Sequence, residues 1–274
     1  MIRPEDAGTV WESIRKERPL VYQLTSAVAA PFQAEVTAAV GAALVMSTHA
    51  GEARVIASGA DAVLLNTGMP GETSKGAFLE ALGGLRKGRP CLLDAVGYGL
   101  TPFRTGWVDS LLKDGRITAV KGNEAEMARL GGGSGSMKGV ESSGAREVEK
   151  ALKKITKSEK APLVAVATGK VDKIACGGSF WKVHGGSGLL PQVTASGCAL
   201  GSVMAACMAV ADPLSAAMAA LLAFKLAAEQ AGNAPWPASW KNAFVDALAA
   251  LEPEKLSSGM KEHVQGPLPL EVLP

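Results

Sequence analysis

The stretch PCLLDAVGYGLTPFRTGWVDSLLKDGRITAVKGNEAEMARL, residues 90–130, decides the fold. Residues 90–96 present a continuous apolar face and break into Gly97-Tyr-Gly99, which predicts a buried strand ending in a turn. Residues 105–112 then space their apolar side chains at helical intervals, 117–121 return to a β-rich run, and 125–130 are helical again. Strand, helix, strand, helix, with the strands apolar throughout, is the pattern of a parallel sheet built by right-handed crossovers.

The same alternation extends in both directions. Upstream, strands are predicted at 19–24, 43–46 and 62–66, with helices at 31–40, 50–58 and 76–86. Downstream, the glycine-rich segment 131–136 reads as a surface loop rather than a linker, because a helix at 145–155 and a buried strand at 162–168 follow at once. Residues 171–176 and 179–184 predict a β-hairpin about Gly177-Gly178, at the edge of the sheet. The remainder reads as helix, at 197–210, 214–231 and 239–251, and these three helices after the last strand would cover one sheet face. The expected class is α/β: a largely parallel central sheet flanked by helices on both faces, in three layers, forming one domain over residues 1–274.

Composition narrows the function. Hydrophobic residues make up 47 % but aromatics only 5 %, so the core is drawn from Ala, Val and Leu, which suits helices packed closely on a sheet. A net charge of +2 gives no electrostatic reason to propose nucleic acid or an acidic membrane as partner. The apolar region 197–231 is interrupted by Asp212-Pro213 and carries Lys225 and Glu229, which predicts two buried helices rather than a membrane span. The four cysteines include no CxxC pair and the three histidines lie far apart, so no structural zinc site is expected. Reduced thiols, and an opening Met1-Ile-Arg-Pro-Glu-Asp6 without an apolar run, fit a cytoplasmic chain.

In open α/β sheets, ligands bind at the carboxyl ends of the strands. Polar and glycine residues collect there: Asp94-Ala-Val-Gly97, Gly122-Asn123-Glu124-Ala-Glu126 and Thr168-Gly169. Asp94 and Glu126 would be neighbours if their strands pair, and two convergent acids suit magnesium, which takes few protein carboxylates. Simple helix-start roles remain open for both. Val193-Thr-Ala-Ser-Gly-Cys198 opens a helix of small residues, whose first amides would form an anion hole for a transferring phosphoryl group. Cys198 falls in the first turn, where the helix dipole is expected to lower its pKa; it reads equally as a base toward a substrate hydroxyl or as a core cysteine. No GxxxxGK[ST] loop, no GxGxxG after the first strand and no GxSxG elbow is present.

Taken in order, Pro19-Leu-Val, Ala42-Ala-Leu-Val-Met46, Asp61-Ala-Val-Leu-Leu-Asn-Thr-Gly68, Asp94-Ala-Val-Gly-Tyr-Gly-Leu-Thr-Pro-Phe-Arg104, Lys121-Gly-Asn-Glu-Ala-Glu126, Lys138-Gly-Val-Glu-Ser142 and Val193-Thr-Ala-Ser-Gly-Cys198 resemble the hydroxyethylthiazole kinase family. The resemblance is collinear over about residues 17–251. It implies a ribokinase-like fold, a homotrimer with active sites between subunits, and ATP-dependent phosphorylation of 4-methyl-5-(2-hydroxyethyl)thiazole in thiamin salvage. By the same resemblance Met46 and Ala195 contact the thiazole, with Gln23 and Ser26 in the first loop on the substrate side. Lys121, Thr168 and Asn123 bind ATP, Asp94 and Glu126 hold Mg2+, Cys198 stands at the base position and Gly197 in the anion hole.

The departures from the family pattern surround the ligand. His-Asn-Ile-Thr-Asn is here Tyr22-Gln-Leu-Thr-Ser26, Asp-Pro-Val-Gly is Asp94-Ala-Val-Gly97, and Gly-Thr-Gly-Cys is Ala195-Ser-Gly-Cys198. Lys121 replaces an arginine, keeping the charge and losing the bidentate fork. A kinase of another small alcohol, such as a hydroxymethylpyrimidine-type substrate, and a non-catalytic ligand-binding relative are the alternatives these changes leave open.

Overall fold

A computed structural model describes residues 6–133, 142–157, 163–232, 234 and 236–269. The expected loop at 134–136 and the quoted residues 138–141 lie outside them. Among the described residues, nine strands form one sheet in the order β2-β1-β3-β4-β5-β6-β7-β8-β9. They are β1 (Leu20–Leu24), β2 (Ala43–Met46), β3 (Ala62–Asn66), β4 (Cys91–Asp94), β5 (Ala119–Asn123), β6 (Val164–Thr168), β7 (Asp172–Cys176), β8 (Ser179–Val183) and β9 (Val264–Pro269). The strands from β2 to β6 pair in parallel, and β7, β8 and β9 continue antiparallel. Each parallel crossover carries a helix: α2 (Ala30–Ala39), α3 (Ala50–Gly59), α4 (Glu72–Gly84), α5 (Pro102–Lys113), then α6 (Glu124–Leu130) with α7 (Ser142–Thr156).

Alternate strand residues feed two separate cores, which makes the three layers. Val63 and Leu65 pack with Ala53, Phe78, Leu82, Val108 and Leu152 on the side of α3 to α7. Leu64 and Leu92 face the other layer, formed by α2 with α8 (Ser196–Met208), α9 (Pro213–Gln230) and α10 (Pro237–Ala250). The region 197–231 is two buried helices, as its Asp212-Pro213 break predicts, with Asp212 capping α9 through Leu214 and Ser215. Among the described residues no helix is long and apolar enough to cross a membrane.

Three elements depart from the sequence reading. Ala7–Glu17 is a helix, α1, whose start is capped by the Asp6 carboxylate and whose Trp11 and Ile14 are fully buried. Pro253–His263 is a further helix, α11, so four helices rather than three follow the β7–β8 hairpin, and the last strand is β9 at the far end of the chain. The hairpin is therefore not the sheet edge: β9 covers β8. Gly266 and Pro267 disguise β9 in the sequence, since proline cannot donate within a sheet and is confined to edge strands, which is where β9 lies.

Candidate active site

The strand register assembles the site. Asn66 stands beside Asp94 across β3 and β4, and Asp94 beside Lys121 across β4 and β5. Their side chains converge at the carboxyl end of the sheet: Lys121 Nζ donates to Asp94 Oδ1 at 2.8 Å and Asn66 Nδ2 to Oδ2 at 2.9 Å. Burial pushes the Asp94 pKa up against the pull of Lys121 and Asn66. Burial works against the Lys121 charge as well, but Asp94, Cys198 and Glu126 together outweigh it and raise the Lys121 pKa.

Glu126 is the third member. Asn123 caps α6 by accepting from the Glu126 amide, and Glu126 Oε2 accepts from the Asn123 amide in return, a capping box. Its Oε1 accepts from Gly97 N at 2.7 Å, tying the β4 loop to α6. Burial raises the Glu126 pKa, with the Gly97 and Asn123 amides holding it back. Glu126 thus stands at a helix start, but desolvated beside the site rather than as a solvated charge. Each carboxylate oxygen of Asp94 and Glu126 accepts one of these hydrogen bonds and keeps a second lone pair. That set suits a magnesium ion held chiefly by phosphate oxygens and water, and does not amount to an all-protein cage. Among the described residues no three His, Cys, Asp or Glu side chains cluster as a metal site.

The opposite wall is the start of α8. Ala195 precedes it in the left-handed conformation, at φ 65° and ψ 14°, and gives the helix no side-chain cap. A non-glycine residue there is strained by about 1–2 kcal/mol. The Ser196 amide donates to Val193 O at 3.2 Å, which leaves the amides of Gly197 and Cys198 to serve the cleft that these residues line. Gly201 brings α8 close to Asp94: a Cβ there would sit 3.3 Å from Oδ2, tighter than an ordinary contact.

Two hollows meet over these residues. One, of about 280 Å³, is lined by Asp94, Lys121, Glu126, Thr168, Gly197 and Cys198 among others. The second, of about 420 Å³, shares Asn123, Thr168 and Gly197 and runs on between Leu190, Leu200 and Phe224 to Lys225. Seven of the predicted site residues are therefore brought together: Asp94, Lys121, Asn123, Glu126, Thr168, Gly197 and Cys198, with Ala195 at the rim of the smaller hollow.

Others are not. Gln23 is wholly buried, and both ends of its carboxamide are taken by Thr37 and Ser202, so the expected substrate contact becomes an internal one. Ser26 is buried and its Oγ accepts from the Ala29 amide. Met46 ends the edge strand β2 and lines neither hollow. The expected low pKa of Cys198 is also corrected: burial and the nearby Asp94 charge push the thiol up to about 11, outweighing the helix dipole.

Sequence reasoning passed over three groups. Asn66 is the polar end of an otherwise apolar strand, a signal that was available. Arg104 donates to Thr67 O, Val96 O and Gly68 O and so laces the β3 and β4 loops together. Lys225 on α9 pairs with Asp172 at 3.0 Å, both buried, beside the larger hollow. A lone lysine in an apolar helix was the cue for the last.

The family model for the hydroxyethylthiazole kinase family matches residues 11–254. The hydroxyethylthiazole kinase of Moorella thermoacetica is 36 % identical over 94 % of this chain and 97 % of its own. The hydroxyethylthiazole kinase structure from Pyrococcus horikoshii superposes with a TM-score of 0.80 at 27 % identity, covering 94 % of this chain and 97 % of that one. A pyridoxal kinase from Staphylococcus aureus, solved with AMP-PCP and pyridoxal, shares the fold at a TM-score of 0.59 and 16 % identity, over 77 % of this chain and 88 % of its own. The ribokinase-like three-layer architecture, the cleft at the strand ends and the end-to-end match agree: the chain belongs to the hydroxyethylthiazole kinase family.

Proposed function

We propose that this chain transfers the γ-phosphoryl group of ATP to the side-chain hydroxyl of 4-methyl-5-(2-hydroxyethyl)thiazole, a salvage step for thiamin. The observation that carries the reading is the meeting of Asp94, Lys121 and Glu126 with the uncapped start of α8 across one cleft. The larger hollow has apolar walls for a nucleobase, with Asn123, Thr168 and Lys121 toward the phosphates. The alcohol sits beside Cys198 and Ala195, in the smaller hollow that both line. Its oxygen attacks the γ-phosphorus as the bond to the β–γ bridging oxygen breaks and ADP leaves.

Such transfer depends on positioning and charge stabilisation more than on covalent help. The amides of Gly197 and Cys198 and the Lys121 ammonium face the charge that spreads over the phosphoryl oxygens. Magnesium, when bound, neutralises phosphate charge, and Asp94 and Glu126 would hold it. Cys198 keeps its proton near neutral pH, so it lies against the attacking hydroxyl as a thiol, and the alcohol proton leaves late. A homotrimer in the cytoplasm, acting as a single-domain enzyme, completes the reading.

ADP release from magnesium-ATP, with and without the thiazole alcohol and with the product identified by mass, is the test. The Cβ of Ala195, where the family has glycine, favours one rival: a different small alcohol. ADP release that depends on a pyrimidine alcohol and not on the thiazole alcohol, with the phosphorylated pyrimidine as product, would select that rival. Nucleotide binding with no turnover on any alcohol would leave a non-catalytic binder.

A further inference from the structure

We propose that Gln33, Gln23 and Ser202 are positioning residues, joined in a closed ring of buried hydrogen bonds that sets the first turn of α8 against the sheet. The inference rests on the kinase reading. Gln33 Nε2, on α2, donates to the Cys198 carbonyl at 3.0 Å. The Gln33 carbonyl accepts from Thr37 Oγ1 at 2.6 Å, and Thr37 Oγ1 accepts from Gln23 Nε2 at 2.8 Å. Gln23 Oε1 in turn accepts from Ser202 Oγ at 2.7 Å. Ser202 lies four residues beyond Cys198, one helical turn along α8, which closes the circuit. Gln23, Gln33, Thr37 and Ser202 are all fully buried.

Two observations point to positioning rather than packing. α8 begins at a left-handed alanine with no side-chain cap, a conformation that persists only where surrounding structure over-determines it. The ring supplies that constraint from β1 and α2. In addition, Gln33 Oε1 is buried without a partner, which is unfavourable. A methionine would fill the same space without that orphan, so packing alone does not account for a glutamine. What the glutamine adds is its one bond to Cys198, at the turn carrying the anion-hole amides. Sub-ångström placement of such groups governs phosphoryl transfer, and α2 also ends the loop that carries Ser26.

The test is Gln33→Met beside Ser202→Ala and the double variant, read by steady-state kinetics, thermal melting and iodoacetamide labelling of Cys198, the least buried of the four cysteines. Positioning predicts that Gln33→Met melts no lower than the parent while kcat falls about tenfold or more, with both KM values little changed. The double variant loses no more than the worse single variant, and Cys198 labels faster in each. Unchanged kcat in folded Gln33→Met, additive losses, or a kcat loss matched by a lost folded fraction would overturn the ring. A parent enzyme without turnover would sink the kinase reading instead. The ring would then stand or fall on whether the folded variants label faster than the parent.

Discussion

The Lys121 ammonium lies 2.8 Å from Asp94 Oδ1 with both side chains shut off from solvent, at 3 % and 1 % exposure. Each is the other's direct ion-pair partner, so removing one leaves a buried charge without the group that contacts it. Lys121→Met is expected to cost about 3–5 kcal/mol of stability and to abolish measurable turnover. Asp94→Asn, which keeps a hydrogen-bonding oxygen for Lys121, should fold better than Asp94→Ala, yet be equally inactive. Melting and ADP release on the three variants check this; an active, stable Lys121→Met would refute the pair's importance.

Cys198 titrates far above neutrality, up from 9.0 to about 11. Alkylation of this thiol is therefore expected to stay slow through the neutral range and to climb only as the pH approaches 11. The linkage has a definite sign. The unfolded thiol loses its proton first, so the stability contribution is whole below 9.0 and is lost as the pH rises through about 11. A rate–pH profile with its rise near 7 would contradict the desolvated environment.

Ala195→Gly relieves the left-handed strain at the head of α8, which should stabilise the chain by about 1 kcal/mol. It also widens the amide nest toward the glycine found in the family, so turnover with the thiazole alcohol should rise. Chemical denaturation and kcat measure the two effects independently. Higher stability with lower turnover would mean that the alanine serves a different alcohol.

Lys225 holds Asp172 at 3.0 Å, and its Nζ also reaches Gly169 O at 3.3 Å, pinning the turn that follows Thr168. Lys225→Met strands a buried carboxylate and should cost about 3–5 kcal/mol. In the surviving folded enzyme the KM for ATP should rise while that for the alcohol holds. Equal changes in both would place Lys225 outside the nucleotide side of the cleft.

The parallel half of the molecule was open to reading because its strands are apolar on both faces and its helices keep their period. α1 carried its own signal, Asp6 before an amphipathic run, and went unread; β9 carried contrary ones in Gly266 and Pro267. At the site, strand ends were legible because register alone places Asn66, Asp94 and Lys121 side by side. Side-chain direction was not. Gln23 pairs in register with Leu64 and points with it into the layer under α2 and α8, away from any ligand. The Cys198 pKa was misjudged because a helix start was weighed without the burial and the carboxylate that only the folded chain brings to it.

The two cores differ in how much of the chain each must wait for. One draws its residues from Tyr22 to Phe180, whereas the other joins Ala7 to Leu256. During synthesis every buried residue of the first layer has been made before α8, with only the partly buried Leu268 of β9 to come later. The second stays open until α11 emerges, leaving much of one face of the sheet bare, with only α1 and α2 of that layer already made. A nascent chain of this protein thus carries a finished side and an adhesive side at once. Truncation anywhere within the last four helices should yield aggregate rather than a smaller enzyme.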